Sequence, residues 1–190
     1  MTRILQVPEL LSAAECASLI ARLESLGFHQ QPTGDGDRIV RARCVFQDAD
    51  LAARLWSRLA AGLPELGAFY GPELEPEPPV PSPLTAWRAD GLNDLLRCYK
   101  YRPGERFGRH VDFSHKWDAR RRTFLTVLCY LNDDFAGGKT WFAQCVVAPR
   151  SGGAAVFAHE LEHRGLRVRQ GIKYVLRSDV VFSLRESIDA

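Results

Sequence analysis

The most informative segment of this sequence is YRPGERFGRHVD, residues 101–112. It ends in His110-Val-Asp112, which places an imidazole and a carboxylate two residues apart on one face of an extended chain. Two such side chains on a regular strand lie too far apart to share a metal ion, so we expect the strand to bend or end there. Taken alone, the short motif is better explained as a surface ion pair.

A second histidine and a lysine follow in the C-terminal part of the chain. His163 comes 51 residues after Asp112, and Lys173 follows His163 by ten positions on a predicted strand. Two histidines and a carboxylate from different strands can occupy one face of an iron(II) octahedron and leave three coordination positions open. The set therefore predicts an iron site at which a bidentate co-substrate and dioxygen bind side by side.

The strand that begins at Lys173 predicts an anion pocket. Strand alternation puts Val175, Arg177 and Asp179 on the same face as Lys173. A lysine and an arginine buried inside a small barrel are costly unless an anion lies beside them. A dicarboxylate co-substrate is the natural partner.

Short β-branched or aromatic runs, separated by glycine-rich turns, occupy the chain from residue 95 onward. Many short strands at this spacing predict an antiparallel barrel or jelly roll. The predicted strands are 95–101, 123–131, 140–142, 154–157, 165–169 and 174–184.

The first third of the chain is predicted to be mainly helical. Ser12 and Glu15 form a capping box, after which apolar residues recur at helical spacing. A second amphipathic run begins near Asp48 or Asp50 and stops at Pro64. Between the two helices, the pattern predicts a turn at 34–37 and a strand at 38–46.

A proline-rich segment follows the helices, with six prolines among residues 72–83. This composition favours a stiff, extended loop. The loop is either a connector between the helical support and the strands or a lid beside an active site.

Composition and charge limit the class of protein and its partners. The chain has 190 residues, 46% of them hydrophobic and 25% charged, which fits one globular domain. The formal net charge of +2 provides no overall field for nucleic acid or an anionic membrane, although basic runs at 120–122 and 164–173 allow a local anion site. No apolar segment approaches the length of a membrane span, and five widely spaced cysteines predict reduced core residues in a cytoplasmic protein.

Five separated elements resemble the prolyl 4-hydroxylase-like iron(II)/2-oxoglutarate dioxygenases. They are 101–112, 125–132 (LTVLCYLN), 137–140 (GGKT), 163–165 (HRG) and 173–179 (KYVLRSD), in the family's order and spacing. The resemblance implies an α+β protein with a double-stranded β-helix (jelly roll) core and N-terminal supporting helices. We therefore expect one dioxygenase domain over 1–190, with helical support in 1–71, the proline-rich loop in 72–83 and the core with its metal site in 84–190.

The resemblance also implies the roles of individual residues. It makes His110, Asp112 and His163 the ligands of iron(II), with 2-oxoglutarate and dioxygen as co-substrates and ascorbate as a reductant. The residues that it places around 2-oxoglutarate are Tyr101, Tyr130, Thr140, Lys173 and Arg177. Lys173 is expected at the distal carboxylate, and Arg177 at the C1 carboxylate or the primary substrate.

Two further histidines have competing interpretations. His115 is either a solvated loop residue or a substrate contact at the cavity mouth. His159 is better explained as a structural neighbour of the site than as a ligand, because only His163 has the ten-residue offset to Lys173.

The implied activity is hydroxylation of an unactivated C–H bond in an amino acid, a peptidyl residue or a small metabolite, with release of succinate and CO2. One alternative is a nucleic-acid dealkylase on the same fold, which the near-neutral charge disfavours. The other is a non-catalytic jelly-roll module whose cluster holds a structural zinc ion or no metal. The primary substrate and the oligomeric state do not follow from the sequence.

Overall fold

The computed structural model of the chain describes residues 3–30, 39–70, 74–80 and 82–185. The helices within these ranges are α1 (Ala13–Leu26) and α2 (Ala49–Leu59). The strands are β1 (Leu5–Val7), β2 (His29–Gln30), β3 (Ile39–Val40), β4 (Ala42–Gln47), β5 (Trp87–Leu92), β6 (Leu95–Tyr101), β7 (Arg106–His110), β8 (Arg121–Tyr130), β9 (Ala136–Gly137), β10 (Thr140–Phe142), β11 (Val146–Val147), β12 (Ala154–Ala158), β13 (His163–Gly165), β14 (Val168–Gln170) and β15 (Lys173–Leu184).

Helix α1 begins at the predicted capping box. The Ser12 hydroxyl accepts a hydrogen bond from the Glu15 backbone N–H at 3.2 Å, and the Glu15 carboxylate accepts one from the Ser12 N–H at 2.8 Å. Together they satisfy two backbone donors that a helix N-terminus leaves free. The helix buries Cys16, Leu19 and Leu23, which confirms the predicted apolar face.

Helix α2 begins where the sequence predicts and ends earlier. The Asp48 side chain accepts from the Leu51 N–H at 2.8 Å and caps the first turn. The α-helix ends at Leu59, and a 3-10 turn (Ala60–Gly62) replaces the predicted last turn before Pro64. Gly62 is a poor helix former, which favours this early end.

The large sheet has the strand order β1-β12-β8-β15-β6-β4-β2, with β5 also paired to β15, and all its pairs are antiparallel. Both faces of its central strands are buried. One face, with Cys98, Cys129 and Leu176, packs in one apolar cluster with the helices. The other face, with Tyr99 and Val175, packs in a second cluster with residues of the small sheet. Burial on both sides explains why β8 and β15 are almost continuously buried.

The small sheet has the order β11-β10-β13-β7-β3 and closes over the second face of the large sheet. In it, His163 of β13 lies directly opposite His110 of β7. Two antiparallel sheets enclosing one apolar interior form the double-stranded β-helix, with the two helices on the outer side of the large sheet. The α+β jelly-roll prediction is confirmed.

Several strands differ from the sequence-based predictions. The predicted strand 165–169 is two strands, β13 and β14, which belong to different sheets. The predicted strand 38–46 is divided at Arg41 into β3 and β4, again in different sheets; Arg38 and the predicted turn at 34–37 lie outside the described residues. The sequence does not predict β1, β2, β5, β9 and β11, each of which is only two to six residues long and depends on pairing with another strand.

The described part of the proline-rich segment is docked against the core. Arg122, which is 3% exposed, donates from Nη1 to the Pro78 carbonyl at 2.9 Å and from Nη2 to the Glu77 carbonyl at 3.1 Å. The Glu160 carboxylate accepts from the Glu77 N–H at 2.8 Å. Residues 72, 73 and 81 of this segment lie outside the described residues.

Neither helix in the described ranges has the length and hydropathy required to cross a bilayer.

Candidate active site

Three predicted ligands converge between the two sheets. Strand β7 ends at His110, as expected, and Asp112 lies in the following loop, where its N–H donates to the His159 carbonyl at 2.8 Å. His110, Asp112 and His163 each offer one potential ligand atom, and these three atoms lie within 4.8 Å of one another. The Nε2 atoms of the two histidines are 3.8 and 3.7 Å from the Asp112 carboxylate. These distances allow all three side chains to bind one ion.

Backbone carbonyls orient both imidazoles. The Nδ1 atom of His110 is 2.9 Å from the Gly108 carbonyl, and that of His163 is 2.9 Å from the Leu161 carbonyl. Because a carbonyl only accepts, each Nδ1 carries the proton and each Nε2 presents a lone pair to the centre. Burial lowers the pKa of His110 to about 4 and also lowers the pKa of His163. Both rings are therefore neutral at pH 7, the form that binds a metal.

The Asp112 carboxylate is buried and held at both oxygens. Oδ1 accepts from Arg177 Nη1 at 2.6 Å, and Oδ2 accepts from the Thr126 hydroxyl at 2.6 Å. Burial acts to raise the pKa of Asp112, but the Arg177 guanidinium, the neighbouring histidines and the Thr126 hydrogen bond together outweigh it, and the pKa lies well below its ordinary value. Arg177 also donates to Asp179 at 3.0 Å.

A chain of hydrogen bonds extends behind Asp112 and includes two threonines that the sequence analysis missed. His159 is fully buried, with Nδ1 2.8 Å from the Thr126 hydroxyl and Nε2 2.9 Å from the Thr123 hydroxyl. Since the Thr126 proton goes to Asp112, His159 donates from Nδ1 to Thr126 and accepts at Nε2 from Thr123. His159 is thus a structural neighbour of the cluster, as the spacing to Lys173 indicated.

The sequence contains one indication of this network: Thr123 and Thr126 are polar residues within the mostly apolar strand β8 (RRTFLTVLCY). Residues three apart on a regular strand point to opposite faces. The register between β8 and β15 shifts by one residue at Phe124, where Val180 pairs with Leu125 and Val181 with Thr123. This bulge brings Thr123 and Thr126 to the same side.

An inner chamber lies on one side of the cluster. Four of the residues predicted to surround the co-substrate line it together with the three ligands: Tyr101, Thr140, Lys173 and Arg177. Tyr130 lies behind this wall, with its hydroxyl 2.8 Å from that of Thr140 and its ring centroid 5.5 Å from Lys173 Nζ.

Lys173 is a buried cation without a carboxylate partner among the described residues. Its side chain is enclosed, and Nζ donates to the Gly138 carbonyl. Burial lowers the pKa of Lys173 to about 7. A bound carboxylate would compensate the loss of hydration that causes this shift.

An outer cleft lies on the other side of the cluster. Its walls include Arg41, Arg43 and Arg97 together with the loop from Val111 to His115. The His115 ring stands against Trp117 with centroids 4.3 Å apart, and the His115 N–H donates to Thr123 at 2.9 Å. The cluster thus lies at the junction of two cavities.

The donor set fits iron(II). Two neutral imidazole nitrogens and one carboxylate oxygen are the donor set of the facial triad in non-haem iron oxygenases, a type of site that keeps further coordination positions open. A closed structural zinc site requires a fourth protein ligand, and the cluster offers three among the described residues. The fold and the cluster together are similar to those of the jelly-roll oxygenases of the facial-triad class.

The family model described as the 2OG-Fe(II) oxygenase superfamily matches residues 96–178, a segment that contains the three clustered residues, Lys173 and Arg177. Over this segment the chain is similar to the 2OG-Fe(II) oxygenases, and the donor set of the three clustered residues fits the iron(II) in that description. No curated protein matches the chain by sequence.

Solved structures share the fold at low identity. The viral collagen prolyl hydroxylase of Paramecium bursaria Chlorella virus-1, in complex with 2-oxoglutarate, has a TM-score of 0.61 at 17% identity and covers 95% of this chain and 96% of its own. The prolyl-4-hydroxylase of Pseudomonas putida has a TM-score of 0.58 at 17% identity, with 97% and 93% covered. OsALKBH1 has a TM-score of 0.61 at 12% identity, with 95% and 98% covered.

Proposed function

We propose that this protein hydroxylates an unactivated C–H bond of an amino acid, a peptidyl residue or a small metabolite. In the overall reaction, substrate R–H, 2-oxoglutarate and O2 give R–OH, succinate and CO2. The observation that carries the proposal is a His110, Asp112 and His163 cluster that shares one cavity with the buried amino group of Lys173. The collagen substrate named for the viral relative supports the peptidyl option.

The proposed roles follow from the contacts of each residue. His110, Asp112 and His163 hold iron(II), which, when bound, supplies the activation of dioxygen that is coupled to decarboxylation of 2-oxoglutarate. Arg177 and Thr126 fix the Asp112 carboxylate at both oxygens, so its orientation does not depend on the metal.

The inner chamber is proposed to hold 2-oxoglutarate. Lys173 pairs with the distal carboxylate, and the hydroxyls of Tyr101 and Thr140 on the same wall donate to it. Arg177 already binds Asp112 and Asp179. We therefore assign it to orienting the Asp112 side chain, and not to binding the C1 carboxylate of 2-oxoglutarate or the primary substrate.

The test is turnover. Protein reconstituted anaerobically with iron(II) and then given 2-oxoglutarate, ascorbate and air is expected to form succinate, with a gain of one oxygen in a panel of amino acids or peptides. His110→Ala and Asp112→Ala are expected to abolish succinate formation. An intact metal site that forms no succinate with any member of the panel would contradict the proposal.

A further inference from the structure

Arg41 occupies an unusual place in the fold. It is the single residue between β3, which pairs with β7 in the small sheet, and β4, which pairs with β6 in the large sheet. It therefore spans the opening between the two sheets, beside the clustered ligands. Its side chain lines the outer cleft and is only 5% exposed.

Two aromatic rings hold the Arg41 guanidinium. Its central carbon is 4.1 Å from the Tyr99 ring centroid and 3.6 Å from that of Phe107. Phe107 in turn stacks on His110, with centroids 3.6 Å apart and ring planes 30° from parallel. The cation is thus fixed relative to a candidate metal ligand, and both of its faces are covered. The Arg41 side chain also hydrogen-bonds the Tyr101 side chain, so only part of its in-plane N–H groups is available to a ligand.

The hydrogen-bonding groups of Arg41 are incompletely used. Neither Nε nor Nη1 has a hydrogen-bond partner among the described residues. A buried donor without a partner costs about 1–3 kcal/mol. Such a group in a native protein calls for an explanation, and a ligand that accepts these hydrogen bonds provides one.

The outer cleft has more positive than negative charge. Four arginines line it, against the two aspartates Asp112 and Asp179. Both aspartates are already occupied, because Arg177 donates to each and Arg97 lies 3.3 Å from Asp179. The charges of a divalent metal ion and a dianionic co-substrate cancel one another. Binding of both therefore leaves the excess positive charge of the outer cleft unchanged.

We propose that the outer cleft binds the primary substrate through a carboxylate group and that Arg41 is the residue that selects it. This inference rests on the proposed function and narrows its substrate to a carboxylate-bearing molecule. A planar carboxylate matches the in-plane donors of a guanidinium stacked between two rings. Phe113, 83% exposed on the same cleft, offers apolar surface to the rest of the substrate.

Binding without turnover tests the proposal. The probes are N-acetyl amino acids, each as the free acid and as the matched primary amide. Their affinities are measured by saturation-transfer NMR on protein loaded with Zn(II) and 2-oxoglutarate. We expect acids to bind and their amides to bind at least about tenfold more weakly. Arg41→Gln is expected to weaken the best acid by about tenfold or more, and by more than it weakens 2-oxoglutarate, whose chamber Arg41 reaches through Tyr101.

Two further variants make the result specific. Arg41→Lys keeps the charge but not the planar set of donors, so we expect a loss of affinity for the acid between those of wild type and Arg41→Gln. If Arg41→Gln does not fold, Arg41→Lys tests the proposal in its place. Arg54→Gln on the exposed face of α2 is the matched control and is expected to bind the acid as wild type does.

The proposal is overturned if no acid binds, if acids and amides bind equally, or if both Arg41 variants bind the acid unchanged. Arg41-dependent binding of a single-stranded oligonucleotide in place of the acids would also overturn it and favour a nucleic-acid substrate. These outcomes are separate from failure of the proposed function, because binding to the zinc-loaded protein requires no succinate formation.

Discussion

Asp112 belongs both to the three-residue cluster and to the hydrogen-bond network that supports this cluster. Its two oxygens face the two histidines and at the same time accept from Arg177 and Thr126. Removing such supporting contacts from a metal ligand typically costs 10- to 100-fold in metal affinity. The network behind Asp112 is therefore part of the site.

Replacing Thr126 by Val tests this support. The side chains have nearly the same shape, but Val removes the donor to Asp112 and the acceptor for His159. We expect Thr126→Val to weaken Co(II) binding by about 10- to 100-fold in an anaerobic titration. Thr126→Ser retains the hydroxyl and should restore most of the affinity, whereas wild-type affinity in the Val variant would show that Arg177 alone is sufficient.

Lys173 predicts that the binding of 2-oxoglutarate depends on pH. Burial places the pKa of Lys173 near 7, and a bound carboxylate favours the ammonium form and raises that pKa. Above pH 7, binding therefore takes up a proton, and affinity should fall by up to about tenfold per pH unit. Calorimetry of the Zn(II)-loaded protein between pH 6 and 9 measures this effect.

Lys173→Arg provides the matched control, because an arginine stays charged throughout this range. Its affinity for 2-oxoglutarate should lose the pH dependence attributable to Lys173. An equal slope in both proteins would assign the titration to another group.

At the scale of elements, short contacts between segments position the ligand strands. The Gly152 carbonyl accepts from the Leu10 and Leu11 N–H groups at 2.7 and 3.1 Å, and its N–H donates to the Tyr130 carbonyl at 2.8 Å. One turn residue thus joins the segment before α1 to the end of β8. Its φ of 78° is in the left-handed region, and a Cβ there would lie 1.8 Å from the Leu11 carbonyl oxygen.

Gly152→Ala should therefore be strongly destabilising. We expect the free energy of unfolding to fall by about 3 kcal/mol or more, since backbone would have to move to admit the methyl group. Urea denaturation measures the loss. Gly67→Ala, where a Cβ meets nothing within 4 Å, is the control and should stay within about 1 kcal/mol of wild type.

At the scale of the whole molecule, Arg122 connects the proline-rich segment to the loop that carries Asp112. Besides the Glu77 and Pro78 carbonyls, it donates from Nε to the Ser114 hydroxyl at 3.0 Å. The basic run 120–122 is thus not uniformly exposed, because its last arginine is buried. These contacts favour the connector interpretation of the proline-rich segment over a lid.

Arg122→Met should lower the free energy of unfolding by about 2–4 kcal/mol, because three acceptors lose a buried donor. The midpoint of urea unfolding measures this change. Arg120→Met, in the same run but exposed, should have little effect. Equal stability of both variants would mean that water replaces the Arg122 contacts without cost.

Local patterns were sufficient for the features that depend on neighbouring residues. The capping box of α1, the Asp48 start of α2 and the strands at 95–101 and 140–142 follow from spacing, caps and β-propensity. The resemblance to the prolyl 4-hydroxylase-like dioxygenases identified the three residues that cluster in the structure. It could do so because its five motifs follow one another in a specific order along the chain.

Features that depend on distant partners required the folded chain. The bulge at Phe124 that turns Thr123 and Thr126 to one side, the division of the chain at Arg41 and the docking of Arg122 all arise from pairing between segments far apart in sequence. The surroundings of charged side chains also require the folded chain, because the residue type by itself does not show whether a lysine or an arginine is exposed to solvent or buried. Burial of Lys173 was expected from its strand, but only packing shows that Arg41 too is buried without a carboxylate partner among the described residues, because desolvation is a property of the surroundings and not of the residue.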